Sequence, residues 1–169
     1  MREFEIHRII EFEKVQYYTI KYCDNEVSEY VEFRNKVAKL IPVDSRCEDD
    51  LAEILAQMEL IGKKFGATPK RFKPEGAAYA LATHYPKHKN NDGIYGLRLY
   101  CLILNENCVI LLNGGDKKEK KAMDCGNVSM HFSNANILAK VFKEYISSMT
   151  LVLNGKNMVN VLDEGLYQN

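Results

Sequence analysis

The sequence lacks the features that mark secreted, membrane-spanning and metal-bound proteins. No stretch approaches the ~20 apolar residues that a membrane helix needs, and the charged segment 1–14 contains no apolar run like that of a signal peptide. The five cysteines form no C-x-x-C pair, and the four histidines form no H-x-x-x-H pair. These absences argue against disulfides and zinc. We therefore expect a cytoplasmic protein that has no membrane contact, metal or other cofactor.

The chain also lacks the short motifs of several enzyme classes. Gly114 and Gly115 do not have the G-x-x-x-x-G-K-[ST] spacing of a phosphate-binding loop, and no nucleophile elbow or paired-carboxylate motif is present. No linker-like or repeated segment divides the chain. We predict a single domain over 1–169, with a core at about 15–148 and a C-terminal extension at 150–169.

Positive charge is concentrated in the middle of the chain. The whole sequence has 23 Lys/Arg and 23 Asp/Glu, so its net charge is zero. Residues 1–62 contain 8 Lys/Arg against 14 Asp/Glu, residues 63–121 contain 12 against 5, and residues 122–169 contain 3 against 4. A segregated field of this kind can attract a polyanion although the molecule is neutral. Solvated lysines around loops are the alternative explanation.

Hydrophobic periodicity predicts a strand followed by two helices in the first half of the chain. The β-branched and aromatic residues of 15–23 are typical of a strand. A helical stripe covers about 26–40, with Asp24 or Asn25 as its cap. A second, more regular stripe covers about 45–65 and begins with capping-box spacing.

The second half of the chain is richer in strands. We predict a basic loop at 66–76, a strand at 77–85, a hairpin within 95–121, a helix at 134–146 and a small hairpin at 151–162. This order predicts an α+β fold, in which an antiparallel sheet has two N-terminal helices packed on one side, a later helix and a C-terminal extension.

The hairpin within 95–121 is apolar on both faces. Leu97, Leu99 and Cys101 point to one face, and Arg98 and Tyr100 point to the other. Such a pattern is typical of a central strand. Because a buried arginine is costly without a partner, we expect Arg98 to lie where the sheet is open to water or to a ligand.

The run GLRLYCLILNENCVILLNGGDKKEKK resembles the central hairpin of the RelE/HigB toxins, which are bacterial toxin-antitoxin proteins that cleave mRNA on the ribosome. Gly96, Arg98, the polar turn at 105–107 and the lysines from Lys117 match that pattern, although Tyr100 stands one residue early. The resemblance implies a RelE-like fold and a metal-independent mRNA endoribonuclease. It also implies a cognate antitoxin as partner.

The same resemblance implies roles for individual residues. Arg98 would clamp the phosphate in the transition state, Lys117 and Lys118 would bind the backbone or protonate the leaving oxygen, and His84 would act as acid or base, with His88 and His131 as other candidates. Tyr100 would either stack on a base or belong to the core. The further candidates for RNA binding are Lys70, Arg71, Lys73, Lys87, Lys120 and Lys121.

One departure from the family pattern keeps other functions open. RelE-type toxins carry lysines on the strand before the hairpin, where this chain has Ala80 and Ala82. This favours the alternative of a non-catalytic member that acts by protein binding, such as a ParE-like gyrase inhibitor or a degenerate toxin. A third possibility is an α+β protein with a surface lysine cluster and another role.

Overall fold

The computed structural model describes residues 1–82, 89–90, 93–94, 96–118 and 122–161, with the backbone alone at 89–90 and 93–94. These residues form ten strands and three α-helices. In chain order the elements are β1 Phe4–Glu11, β2 Gln16–Tyr22, α1 Glu29–Leu40, α2 Arg46–Leu60, β3 Lys73–Glu75, β4 Ala78–Ala82, β5 Lys89–Asn90, β6 Gly93–Ile94, β7 Gly96–Asn105, β8 Cys108–Lys117, α3 Ser129–Ser147, β9 Leu151–Asn154 and β10 Asn157–Asn160.

The main sheet has six strands in the order β1-β2-β8-β7-β4-β3. All neighbours are antiparallel except β2 and β8, which are parallel. The α+β class is thus confirmed, and the antiparallel sheet is confirmed at every pair but this one. Strand β8 lies between β2 and β7. It is antiparallel to β7, its hairpin partner, and it runs in the same direction as β2.

Both faces of this sheet are buried by apolar side chains. Helices α1 and α2 pack on one face, toward which Leu97, Leu99 and Cys101 of β7 point. Helix α3 and the β9–β10 hairpin cover the other face, toward which Tyr100 and Leu102 point. The predicted alternation and the central position of this strand are confirmed. A sheet covered on both sides explains why its middle strands are apolar on both faces.

Helix α1 begins later than the sequence predicts. Ser28 is its N-cap, and the Ser28 side chain accepts a hydrogen bond from the backbone N–H of Val31 at 3.4 Å. The predicted caps Asp24 and Asn25 are wrong, because both lie in the turn after β2 and bind the guanidinium of Arg2 instead. Capping depends on which polar residue lies next to the helix, and several candidates in a row leave that open.

Helix α2 continues through a π-helical turn, Ile61–Phe65, to Gly66, which has a φ of 74°. This is the end that the sequence predicts. The capping box is wrong, because the Ser45 side chain makes no capping hydrogen bond, and Asp44 accepts the N–H of Arg46 at 3.1 Å. Among the described helices, none combines the length and the apolar character needed to cross a membrane.

Two strands of the main sheet are not predicted from the sequence. Strand β1 exposes Glu5 and His7, and its pairing with β2 is irregular between Arg8 and Ile10, so that the apolar alternation is interrupted. Strand β3 has three residues, includes Pro74 and lies in the predicted basic loop. It forms the edge of the sheet, which is the position where a strand tolerates proline.

The predicted C-terminal hairpin is confirmed as β9 and β10, which turn at Gly155 with a φ of 57°. Its turn is held by hydrogen bonds from the Tyr18 hydroxyl to the Lys156 carbonyl at 2.6 Å and from the Cys108 thiol to the Gly155 carbonyl at 3.1 Å. Leu151 is buried in the same core as α3. The hairpin therefore completes the second face of the sheet.

Candidate functional site

Three strands bring several predicted site residues to one end of the sheet, on the side that α3 covers. Arg98 and Tyr100 share this side of β7, opposite the small residues of β4. Lys117 ends β8 beside the start of β7, and Lys73 on β3 pairs with Ala80, which in turn pairs with Tyr100. We call the set Lys73, Glu75, Arg98, Tyr100 and Lys117 the cationic cluster.

The Arg98 guanidinium is buried and ion-paired. Its side chain is 2% exposed, and its Nη1 atom lies 3.4 Å from Oε1 of Glu75. The expectation that Arg98 lies where the sheet is open to solvent is therefore wrong. The cause is β3, which brings Glu75 to the same side of the sheet. Burial lowers the pKa of Arg98 while Glu75 acts to raise it, and arginine remains charged in proteins.

Two ammonium groups share this environment with Arg98. Burial lowers the pKa of Lys73 to about 8, and repulsion by Arg98 and Lys117 acts in the same direction. Burial and Arg98 also lower the pKa of Lys117, which is 6% exposed. Glu75 opposes both changes. Among the described residues of the cluster, three cations surround one carboxylate, and such a site favours an anion.

The Tyr100 hydroxyl and Oε1 of Glu75 are buried polar atoms of the cluster that have no hydrogen-bond partner within the described part of the chain. Such atoms are uncommon in native proteins. The Tyr100 ring is fully buried and packs edge-on against Phe132, with ring centroids 6.2 Å apart. This is the core position that was one of the two predicted roles, and only the hydroxyl is left to contribute to the cluster.

Other predicted site residues lie apart from the cluster. The Lys118 side chain is 63% exposed, and its ammonium is 4.0 Å from Asp116. Lys70 is exposed, and the Arg71 guanidinium stacks 3.5 Å from the ring centroid of Phe65 at the end of the α2 segment. The remaining candidates, which lie outside the described residues, are His84, Lys87, His88, Lys120 and Lys121.

Ala80 and Ala82 lie buried on β4, between β3 and β7. They leave the strand before the hairpin without the lysines of the toxin pattern. Lys73, which pairs directly with Ala80, supplies an ammonium on the same side one strand further out. Lys73 was predicted as a general RNA-binding residue and Glu75 was not predicted at all. The alternation Lys-Pro-Glu is the signal for an extended edge segment with both charges on one side.

His131 has a structural environment. The Lys36 ammonium contacts Asn113 Oδ1 at 3.0 Å, the Gly114 carbonyl at 2.6 Å and Nε2 of His131 at 2.9 Å. Burial, followed by repulsion from Lys36, lowers the pKa of His131 to about 4. The imidazole is therefore a neutral acceptor at pH 7, which does not suit it to acid-base catalysis at that pH.

This environment predicts a specific loss of stability in acid. The unfolded chain binds a proton on His131 near pH 6.5, whereas the folded protein binds it near pH 4. Stability is thus nearly complete above pH 6.5, and part of it is lost as the pH drops to 4. Linkage gives a loss of about 3 kcal/mol, which solvent screening of the partly exposed ring reduces to about 2 kcal/mol. We expect His131→Gln to reduce this loss in urea unfolding measured at both pH values. His7→Gln, at an exposed position on β1, is the matched control, and equal losses in both variants would contradict the assignment.

A second polar group lies on the opposite face, near the start of α2. One ligand-type atom each of Asp44, Cys47 and Asp116 lies within 4.8 Å of the others. The Arg46 guanidinium, however, lies 3.1 Å from Asp44 Oδ2 and 3.0 Å from Asp116 Oδ2. Arg46 already supplies the positive charge between these carboxylates, so the group does not fit a metal ion.

No protein-family model matches the sequence, and no curated protein or solved structure is significantly similar to it.

Proposed function

We propose that this chain is the RelE/HigB-like toxin of a toxin-antitoxin pair and cleaves mRNA without a metal ion. The observation that carries the proposal is the convergence of Arg98, Lys117 and Lys73 on one side of the sheet. The first two come from the two strands of the hairpin that resembles the toxins, and the third compensates for the absence of lysines on β4.

The cluster has the groups that such a reaction requires. Attack of a ribose 2′-hydroxyl on the adjacent phosphorus places negative charge on the phosphate oxygens, which a planar guanidinium and an ammonium can stabilise. Arg98 and Lys117 take these roles. Lys73, with a pKa of about 8, is protonated in most molecules at pH 7 and can give its proton to the leaving oxygen. The exposed Lys118 is suited to a flanking phosphate.

The order of elements also supports a RelE-like arrangement, with a strand, two helices, the antiparallel strands that end in the β7–β8 hairpin, and α3. In this proposal β1, β3 and the β9–β10 hairpin are additions to that arrangement. The cognate antitoxin would cover the end of the sheet that carries the cluster, because acidic or extended segments on that side would neutralise its charge. mRNA, with or without the ribosome, is the other partner.

Cleavage of a defined mRNA, with and without ribosomes and in the presence of EDTA, tests the proposal. We expect Lys73→Met to lower the cleavage rate by about 100-fold through loss of the proton donor. Lys39→Met, at an exposed position near the end of α1, is the control and should change the rate less than about threefold. The charged groups that face Lys73 are Arg98, Lys117 and Glu75. If Lys73 is the acid, the rate falls as the pH rises above about 8, because Lys73 then loses its proton. Intact RNA at stoichiometric protein, with and without ribosomes, would contradict the proposal.

A second candidate is the non-catalytic member of the same superfamily, which acts by binding a protein. The burial of Arg98 against Glu75 favours it. So does a cleft of about 1220 Å³ between the edge strand β1 and the β10 strand, since an exposed strand edge can pair with a strand of a partner. Growth arrest on expression separates the two candidates. It disappears in an Arg98→Met, Lys73→Met double variant if RNA cleavage is the cause, and it persists in that variant if protein binding is the cause.

A further inference from the structure

The contact between Glu75 and Arg98 is a weak one for a buried ion pair. The closest approach is 3.4 Å, and Oε1 of Glu75 forms no hydrogen bond with any described residue. Strong arginine–carboxylate pairs have two parallel hydrogen bonds at about 2.7–2.9 Å. A buried pair of poor geometry recovers little of the cost of removing both charges from water. A ligand oxygen with better geometry can therefore replace the carboxylate.

We propose that the Glu75 carboxylate occupies the place of a phosphate oxygen in the resting protein, and that a phosphate group binds the cationic cluster by displacing it. The proposal rests on the proposed function, because it assigns the ligand of the same site. It adds that the site is held closed by the protein's own carboxylate. It also assigns a purpose to the ion pair between Arg98 and Glu75, which by itself disagrees with a site open to RNA.

The backbone around Glu75 is arranged for a side-chain exchange. Asn136 of α3 donates to the Glu75 carbonyl at 3.0 Å and accepts the N–H of Ala77 at 2.6 Å. These bonds hold the backbone on both sides of Gly76, whose φ of 71° suits glycine. Rotation of the Glu75 side chain then takes its carboxylate away from the Arg98 guanidinium, and β3 stays paired with β4.

Electrostatics favour the exchange for phosphate over simple anions. The Glu75 carboxylate counteracts the lowering of the pKa of both Lys73 and Lys117. An anion that displaces it must therefore supply the same negative charge beside these two ammonium groups. A phosphate group presents several charged oxygens to three cations and can accept two hydrogen bonds from one guanidinium. Chloride offers a single charge without this geometry. The buried Tyr100 hydroxyl, which lacks a partner among the described residues, can donate to a further oxygen.

The test compares Glu75→Gln with the wild type in binding of inorganic phosphate, measured by calorimetry at constant ionic strength with chloride. Glutamine keeps the shape of the side chain and removes the charge that competes with phosphate. We expect the variant to bind phosphate at least about tenfold more tightly. Glu29→Gln is the control, because Glu29 is a buried carboxylate of α1 that takes no part in the cluster, and its affinity should equal that of the wild type.

An unchanged or weaker phosphate affinity in folded Glu75→Gln overturns the exchange. Should this variant fail to fold, Glu75→Asp replaces it, since the shorter side chain retracts from Arg98 and should also tighten phosphate binding. The outcome is independent of RNA cleavage. If Glu75→Gln binds phosphate more tightly but the wild type does not cleave RNA, the exchange is supported and the ribonuclease function is contradicted. If the wild type cleaves RNA in a reaction that depends on Arg98, but Glu75→Gln binds phosphate no more tightly, only the exchange is contradicted.

Discussion

Replacing Arg98 with methionine is expected to lower the free energy of unfolding by about 3 kcal/mol and to abolish the RNA cleavage that we propose for this protein. The side chain is 2% exposed, and its guanidinium is ion-paired with Glu75. Removing one member of a buried pair leaves the other charge in a medium of low polarity, which is more costly than losing both. Methionine fills much of the same volume, so the effect reports charge rather than a cavity.

The double variant Arg98→Met, Glu75→Gln separates the two parts of this prediction. We expect it to recover about 2 kcal/mol of the lost stability, because the Glu75 carboxylate is no longer left buried without the Arg98 charge. The proposed cleavage should stay absent, since Arg98, the proposed phosphate clamp, is still missing. Urea unfolding and a cleavage assay on the same preparations measure both effects. A double variant no more stable than Arg98→Met would show that Arg98 and Glu75 are not energetically coupled. If Arg98→Met still cleaves RNA, Arg98 takes no part in the reaction.

Replacing Gly114 with alanine is expected to destabilise the fold by more than about 4 kcal/mol and to prevent stable expression. A Cβ atom at this position would lie 1.7 Å from the carbonyl oxygen of Arg98. The obstacle is backbone rather than a flexible side chain, because β7 and β8 approach closely where their register shifts between Leu99 and Cys101. Relief of the clash requires the two central strands to separate, and that would disturb both cores at once.

Gly126→Ala is the matched control for this prediction. Nothing lies within 4 Å of a Cβ atom built on Gly126, so the variant should differ from the wild type by no more than about 1 kcal/mol. Soluble yield and thermal unfolding of the two variants give the comparison. A folded Gly114→Ala protein with nearly wild-type stability would mean that β7 and β8 do not approach as closely as described.

The elements that could be predicted are those whose signal is local. The alternation in β7 follows from the two-residue repeat of a strand, and α2 follows from a stripe of apolar residues that ends at Gly66. The C-terminal hairpin follows from an asparagine-glycine turn between apolar residues. In each case the contacts that stabilise the element leave their pattern within about 20 neighbouring residues.

The errors occur where a contact joins distant parts of the chain. Strand β1 is recognisable only through its pairing with β2, because its irregularity near Arg8 breaks the repeat. Strand β3 is too short to show periodicity and forms because β4 offers it a free edge. The parallel pairing of β2 with β8 joins residues about 90 positions apart, and no local pattern encodes such a register.

The same division applies to the candidate site. Arg98 and Lys117 belong to one continuous hairpin, and the pairing of its two strands brings them together. Lys73 and Glu75 come from a separate strand, and their arrival changes the chemistry of Arg98 from an open guanidinium to a buried, ion-paired one. His131 likewise becomes a neutral acceptor because the fold buries it and because α1 brings the Lys36 ammonium against it.

By itself, the sequence determined the α+β class, the two-faced apolar hairpin and the excess of positive charge in the middle of the chain, because periodicity and composition act over short stretches. Only the tertiary structure decided which charges meet, how deeply they are buried and which carboxylate opposes them. Solvent exclusion and Coulomb interactions depend on distances between residues that are remote in the chain, and folding alone sets those distances.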